Sequence, residues 1–143
     1  MSTVREVLDQ KGHDVVTVHP DDSVYDAIKT MADQDIGAVM VVENGKPVGI
    51  VSERNYARSV YLKGRSSPET PVRIIMEVDF AYARPDQTDE ECLRIMSAKS
   101  TRHLPIFDGP DLVGLVSILD VVKSIVAEQA LTIEQLEQYI HRG

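Results

Sequence analysis

The chain contains an internal repeat, and this feature constrains its fold more than any other. Displacing the 143-residue sequence by 65 positions aligns residues 19–60 with residues 84–125 without a gap. Self-similarity at one spacing indicates that one structural unit is used twice. The identical pairs are Pro20 and Pro85, Asp21 and Asp86, Met31 and Met96, Val48 and Val113, Gly49 and Gly114, Val51 and Val116, Ser52 and Ser117, and Ser59 and Ser124.

A shorter match at a different displacement defines the start of each repeat. Residues 4–8 resemble residues 72–76 when the chain is displaced by 68 positions, so the first copy has three more residues before its first strand. We expect one repeat at residues 1–68 and another at residues 69–130. A further helix is expected at residues 131–143, because Thr132 and Gln135 have the spacing of a capping box.

The local pattern predicts the same order of elements in both copies: strand, helix, strand, strand, helix. Ser23 and Thr88 are expected to cap the first helix of each copy, and turn formers lie at residues 44–45 and 108–110. The fold class is therefore α/β of the α+β type, with two βαββα repeats. The strands are expected at residues 15–18, 38–42, 48–51, 80–83, 104–107 and 112–116.

Composition excludes several classes of partner. A net charge of −8 opposes binding to nucleic acid, which requires many basic residues. No apolar run approaches 18 residues, so neither a signal sequence nor a membrane span is expected. The single cysteine, Cys92, lies on an apolar helix stripe and is expected to be a core thiol in a reducing cytoplasm. His13, His19 and His141 lack metal-ligand spacing, so we expect no metal site.

Two short motifs carry the strongest functional signal: GIVSERN at residues 49–55 and GLVSILD at residues 114–120. Each lies where the last strand of a repeat meets its last helix. The serine can be the helix N-cap, with Asn55 or Asp120 at the third helical position, and capping alone then explains both serines. It does not explain the glycine before each serine, which suggests that the strand end faces something flat. Nor does it explain Arg54, because positive charge is unfavourable at a helix start unless an anion is bound.

The chain resembles tandem CBS-domain proteins, also called Bateman modules. The resemblance extends from Val4 to about Gln129 and rests on the doubled G-h-h-[ST]-x-x-[DN] signature, on the repeated Pro-Asp helix start, and on STRHLPIFD at residues 100–108. It implies two repeats packed about a pseudo-twofold axis, with two clefts between them. Such proteins commonly bind adenosine-containing ligands in the clefts and report metabolite state to a partner protein.

The resemblance also implies which residues contact the ligand. Ser117 and Asp120 correspond to a ribose-binding pair, since a carboxylate can accept hydrogen bonds from two vicinal hydroxyls. The adenine would lie against the two strand starts, and the basic residues would meet phosphate. In the first copy Asn55 replaces the usual Asp, and Met40 stands where the second copy has proline. The expected binding residues are Ile36, Gly37, Ala38, Ser52, Arg54, Asn55, Arg102, His103, Leu104, Pro105, Ser117 and Asp120.

The leading hypothesis is a nucleotide-sensing homodimer that signals to an unidentified effector protein. AMP is the first candidate ligand, and NAD, ATP and S-adenosylmethionine compete with it. A ligand-free dimerisation scaffold is the alternative, whereas no nucleophile–base pair, phosphate loop or metal cluster indicates an enzyme. Two local alternatives stay open: His103 as a core-edge residue, and residues 63–71 as a linker or as a phosphate-binding loop through Arg65, Ser66 and Ser67. The dimer would bury the helix residues Ala57, Val60, Tyr61, Val121, Val122 and Ile125.

Overall fold

A computed structural model describes residues 1–142, and the chain divides into two compact units. Residues 15–80 form the N-repeat unit, and residues 1–14 together with residues from 81 onward form the C-repeat unit. In chain order the elements are α1 (Val4–Lys11), β1 (Thr17–Val18), α2 (Val24–Gln34), β2 (Ala38–Glu43), β3 (Lys46–Ser52), α3 (Glu53–Tyr56) continuing as a π-helical turn (Ala57–Tyr61), a 3₁₀ turn (Val72–Ile74), α4 (Asp89–Lys99), β4 (His103–Asp108), β5 (Asp111–Ser117) and α5 (Ile118–Arg142).

The N-repeat unit is built on a three-stranded sheet. β1 runs parallel to β2, and β2 runs antiparallel to β3, with Ala38 opposite Ser52 at the end of the hairpin. Helix α2 begins as expected, because the Ser23 Oγ accepts a hydrogen bond of 3.0 Å from the Asp26 N–H. The apolar side of α2 packs on the sheet through Val24, Ala27 and Met31, which are buried.

The C-repeat unit pairs the β4–β5 hairpin with helices from both ends of the chain. Thr88 caps α4 as expected, and its Oγ1 accepts from the Glu91 N–H at 3.1 Å. Val4 and Leu8 of α1 are buried in the same core as Cys92. Burial raises the pKa of the Cys92 thiol to about 11, with Asp89 and Glu91 contributing, so this cysteine is a core thiol as expected.

Two element predictions were wrong. Residues 80–83 do not form a strand, and only Ala83 bridges to Ile106. The pairing is limited to Ala83, whose N–H donates to the Pro105 carbonyl at 3.1 Å and whose carbonyl accepts from the Phe107 N–H at 2.9 Å. Thr132 does not begin a helix either: α5 continues through it, and the Thr132 hydroxyl donates to the Glu128 carbonyl oxygen at 3.0 Å. A threonine hydroxyl that bonds the preceding turn lies within a helix rather than at its start.

The expected dimer residues divide into two groups. Val60 and Val121 are fully buried within their own units and cannot form an interface, so that part of the expectation was wrong. Ala57, Tyr61 and Val122 are exposed, and Ile125 is half-buried against the core of the C-repeat unit. Within residues 1–142, no helix has both the length and the apolar character needed to cross a membrane.

Candidate functional site

The two copies of the motif occupy equivalent places in their units. In the N-repeat unit Ala38 pairs with Ser52, and in the C-repeat unit His103 pairs with Ser117. A backbone hydrogen bond then ties each strand start to the following helix: the Glu53 N–H donates to the Gly37 carbonyl at 3.1 Å, and the Ile118 N–H donates to the Arg102 carbonyl at 2.8 Å. The strand-start residues and the motif residues expected in each copy are therefore brought together within each unit.

In the N-repeat unit, Asn55 forms a complete capping box with Ser52. Its Oδ1 accepts from the Ser52 N–H and from the Ser52 hydroxyl, both at 2.9 Å, and the Asn55 N–H donates to the Ser52 Oγ at 3.2 Å. The remaining amide group also has a partner, because Asn55 Nδ2 donates to Glu77 Oε1 at 2.8 Å. Both polar atoms of the Asn55 side chain thus have hydrogen-bond partners within their own unit.

In the C-repeat unit, the Asp120 carboxylate makes the equivalent box and also binds a lysine. Oδ2 accepts from the Ser117 N–H at 2.8 Å and lies 2.7 Å from Lys11 Nζ. Lys11 also donates to the Leu115 carbonyl oxygen. Partial burial opposes ionisation of this carboxyl, but the hydrogen bonds from Lys11 and Ser117 outweigh it and hold the pKa of Asp120 below its usual value. Asp120 is therefore a charged acceptor at neutral pH.

His103 lies half-buried at the start of β4, next to this carboxylate. Burial lowers the pKa of His103, and the positive charges of Lys11 and Arg102 lower it further, while Asp120 partly opposes them. The imidazole is consequently neutral at pH 7 and can form hydrogen bonds with a phosphate but adds no charge. Positive charge in this part of the unit comes from Lys11 and Arg102.

The repeated glycine has a structural reason that differs from the expected one. A Cβ on Gly114 would lie 2.5 Å from Leu8 Cδ2, and a Cβ on Gly49 would lie 2.8 Å from Met76 Sδ. Both distances are too short for a real side chain, so each glycine makes room for an apolar residue from the leading segment of the other repeat. The glycines thus face packed side chains of their own unit, rather than something flat as the sequence suggested.

Each unit has a surface cleft beside the first helix of its repeat, α2 in the N-repeat unit and α4 in the C-repeat unit. One, of about 540 Å³ in the N-repeat unit, is bordered by Ile36 and Gly37 at the strand start and by Tyr56 of α3. The other, of about 410 Å³ in the C-repeat unit, is bordered by Leu93 of α4 and Ile125 of α5. The first cleft includes two of the expected adenine-contacting residues, but neither cleft is lined by Ser52, Asn55, Ser117 or Asp120.

The remaining basic and linker residues expected to meet phosphate lie on the surface of the N-repeat unit or are hydrogen-bonded within it. Arg54 is exposed in the first turn of α3. Arg65 donates to the Ser59 carbonyl at 2.9 Å, and the Ser67 carbonyl accepts from the Tyr25 N–H at 3.0 Å, so residues 65–67 are held against their own unit. Sequence reasoning missed Lys11 and Glu77, each of which contacts the motif of one repeat from the leading segment of the other. The match between residues 4–8 and 72–76 is the signal that could have drawn attention to these segments.

Comparison with known proteins agrees with this architecture. The family model described as CBS domain matches residues 4–61 and 72–127. The CBS domain-containing protein CBSX3, mitochondrial, of Arabidopsis thaliana is 33% identical, with 99% of this chain and 73% of that protein covered. The structure of a putative signal-transduction protein with CBS domains from Burkholderia ambifaria MC40-6 is 46% identical, with a TM-score of 0.86 over 90% of this chain and 96% of the other.

A further relative is an enzyme. The inosine-5'-monophosphate dehydrogenase of Methanocaldococcus jannaschii is 35% identical over 112 residues, which are 77% of this chain but only 21% of that enzyme. Tandem CBS domains in general bind adenosyl ligands in regulatory roles.

Proposed function

The chain belongs to the CBS-domain family, and on that premise we propose that it is a regulatory module that binds an adenine nucleotide and signals to a partner protein. AMP is the first candidate, and NAD, ATP and S-adenosylmethionine are its competitors. The observation that carries the proposal is the ionised, half-buried Asp120 in the first turn of α5, beside the β4 strand start and two cationic side chains. We propose a homodimer as the functional state.

The proposed pose follows from the chemistry of these groups. The Asp120 carboxylate accepts hydrogen bonds from the two ribose hydroxyls, because one ionised carboxylate offers two acceptor oxygens. The adenine lies at the β4 strand start against Arg102 and His103, because Leu104 and Pro105 are buried, and Arg102 and Lys11 face the phosphate. Lys11 already binds Asp120, so a ribose must share the carboxylate with it or displace it. The copy in the N-repeat unit is the weaker site, because the Asn55 amide offers one neutral acceptor oxygen that Ser52 already uses.

A second function is favoured by the same contacts. Each motif residue has polar partners within its own unit: Ser52 and Glu77 for Asn55, and Ser117 and Lys11 for Asp120. A protein in which these polar groups only cap helices would be a ligand-free dimerisation scaffold. Binding measurements separate the two functions, because a scaffold has no preference for adenine compounds.

Thermal melts with a panel of nucleotides test the proposal. A ligand that binds only the folded protein stabilises it by about 2.7 kcal/mol at a hundredfold excess over its Kd, so the melting temperature should rise with at least one adenine compound. Guanine and pyrimidine nucleotides serve as controls for unspecific effects of phosphate. No shift with any adenine compound at millimolar concentration would contradict the proposal and favour the scaffold.

A further inference from the structure

One face of α5 carries exposed apolar side chains at alternating spacings of three and four residues. Such spacing fills the a and d positions of successive heptads, which is the pattern of a helix that packs along a partner helix. One polar residue, Gln129, interrupts the row at its centre. The exposed members are Leu119, Val122, Val126, Ile133, Leu136 and Ile140, each at least 39% exposed.

The second half of α5 has no cover from its own chain. Every residue from 129 to 141 is exposed, although α5 continues as a helix to Arg142. A helical segment of about 14 residues is only marginally stable in water by itself, since most helices in proteins are stabilised by packing of their apolar face. The row of apolar side chains therefore indicates a partner that covers it.

We infer that this partner is α5 of a second copy of the chain, packed antiparallel. A twofold axis near residue 131 brings the two rows into register, so that Val122 packs on Ile140, Val126 on Leu136, and Gln129 on Ile133 of the other copy. Each contact then occurs twice. This arrangement covers the row from Val122 to Ile140 with the same row of the second copy. The inference does not depend on nucleotide binding.

The charges of Lys123 and Glu137 favour an antiparallel pair of helices. Lys123 and Glu137 both occupy e positions of the heptads, on the same edge of the apolar row. In an antiparallel pair the e positions face each other, so Lys123 meets Glu137 of the second copy on both sides of the axis. In a parallel pair an e position faces a g position instead: Lys123 would meet Ile118, and Glu137 would meet Thr132. Only the antiparallel pair brings these opposite charges together.

A charge-swap series measured by sedimentation equilibrium on the full chain tests this inference. The wild type should have twice the chain mass of 15.9 kDa at tens of micromolar. Lys123→Glu and Glu137→Lys should each weaken the dimer about tenfold, because each places two like-charge contacts in the interface. The double variant should return to near the wild-type dissociation constant. Glu134→Lys makes the same change of charge outside the e and g positions and should leave the dimer unchanged.

Circular dichroism of each variant shows whether α5 remains helical, so that a loss of folding is not mistaken for a loss of pairing. Leu136→Glu should abolish the dimer while the C-repeat unit stays folded, because Leu136 is 57% exposed and outside the core. A monomeric wild type, or a dimer that neither single charge reversal weakens, would overturn the inference. Failure of the double variant to recover would also overturn it, since Lys123 and Glu137 would then not face each other.

Discussion

At the scale of single residues, the two copies differ in the side chain that each motif contacts from the leading segment of the other repeat. Asn55 is neutral and donates to the Glu77 carboxylate, whereas Asp120 is ionised and accepts from Lys11. Each motif residue is thus electrostatically complementary to its neighbour: an amide donor faces a carboxylate at position 55, and a carboxylate faces an ammonium group at position 120. An aspartate at position 55 would place two carboxylates within hydrogen-bonding distance, which explains physically why an amide suits this copy.

Replacing the amide by a carboxylate should therefore destabilise the protein. Asn55→Asp loses the hydrogen bond to Glu77 and adds like-charge repulsion, and we expect a loss of about 1 kcal/mol in the free energy of unfolding at pH 7. The double variant Asn55→Asp/Glu77→Gln should recover this loss, because an aspartate in the first turn of a helix is favourable by about 0.3–1 kcal/mol. Urea denaturation measures both. Equal losses in the single and double variants would show that Glu77 is not the cause.

Single residues also show what the sequence could and could not predict. The helix caps Ser23 and Thr88 were predicted correctly because a cap depends on a side chain and a backbone group three residues apart. The roles of Lys11 and Glu77 were missed because their contacts join residues that lie 109 and 22 positions apart in the sequence. The burial of Val60 and Val121 was missed because an apolar helix residue suits a buried face and an interface equally well.

At the scale of elements, the hairpins and first helices were predicted well because turn residues and apolar spacing are local. The positive φ angles of Asn44 and Gly45, 53° and 75°, match the turn that these residues predicted. The helix start expected at Thr132 was wrong because a start pattern alone does not end the helix before it. The sequence around Thr132 satisfies the pattern of a helix start, but no glycine or proline ends the preceding helix, so α5 continues.

Packing of α1 against β5 gives a prediction at this scale. Gly114→Ala would bring a methyl group within 2.5 Å of the buried Leu8 side chain, and overpacking of this kind costs about 1–3 kcal/mol. Gly49→Ala is the matched control in the other copy. Its nearest neighbour is the flexible Met76 thioether at 2.8 Å, so it should cost less.

Chemical denaturation of Gly114→Ala, Leu8→Ala and the double variant tests whether packing against Leu8 is the reason for the glycine at position 114. In Leu8→Ala the space beside Gly114 is enlarged, so the double variant Gly114→Ala/Leu8→Ala should be more stable than the sum of the two single losses predicts. If the losses simply add, Leu8 does not restrict position 114. A stability of Gly114→Ala equal to that of the wild type would contradict the packing explanation altogether.

At the scale of the whole molecule, the sequence repeats and the compact units do not coincide. The sequence places residues 4–8 at the start of the first repeat and residues 72–76 at the start of the second, but α1 packs into the C-repeat unit and residues 72–76 pack into the N-repeat unit. The repeat and the fold class were predictable because residues 19–60 and 84–125 align at a single displacement without a gap. Which unit each leading segment joins was not predictable, because both segments have the same apolar pattern and would fit either core.

We propose that the Asp120 carboxylate accepts hydrogen bonds from the ribose hydroxyls of an adenine nucleotide. Calorimetry with AMP and with 2′-deoxy-AMP tests this contact on the wild type, on Asp120→Asn and on Asp33→Asn, which changes an exposed carboxylate of α2. Hydrogen bonds to a charged group are worth about 1.5–3 kcal/mol, so removal of the 2′-hydroxyl should weaken binding to the wild type and to Asp33→Asn on the order of tenfold to a hundredfold. The loss should be clearly smaller in Asp120→Asn. An equal loss in all three proteins would contradict the claim and leave Asp120 as a helix cap only.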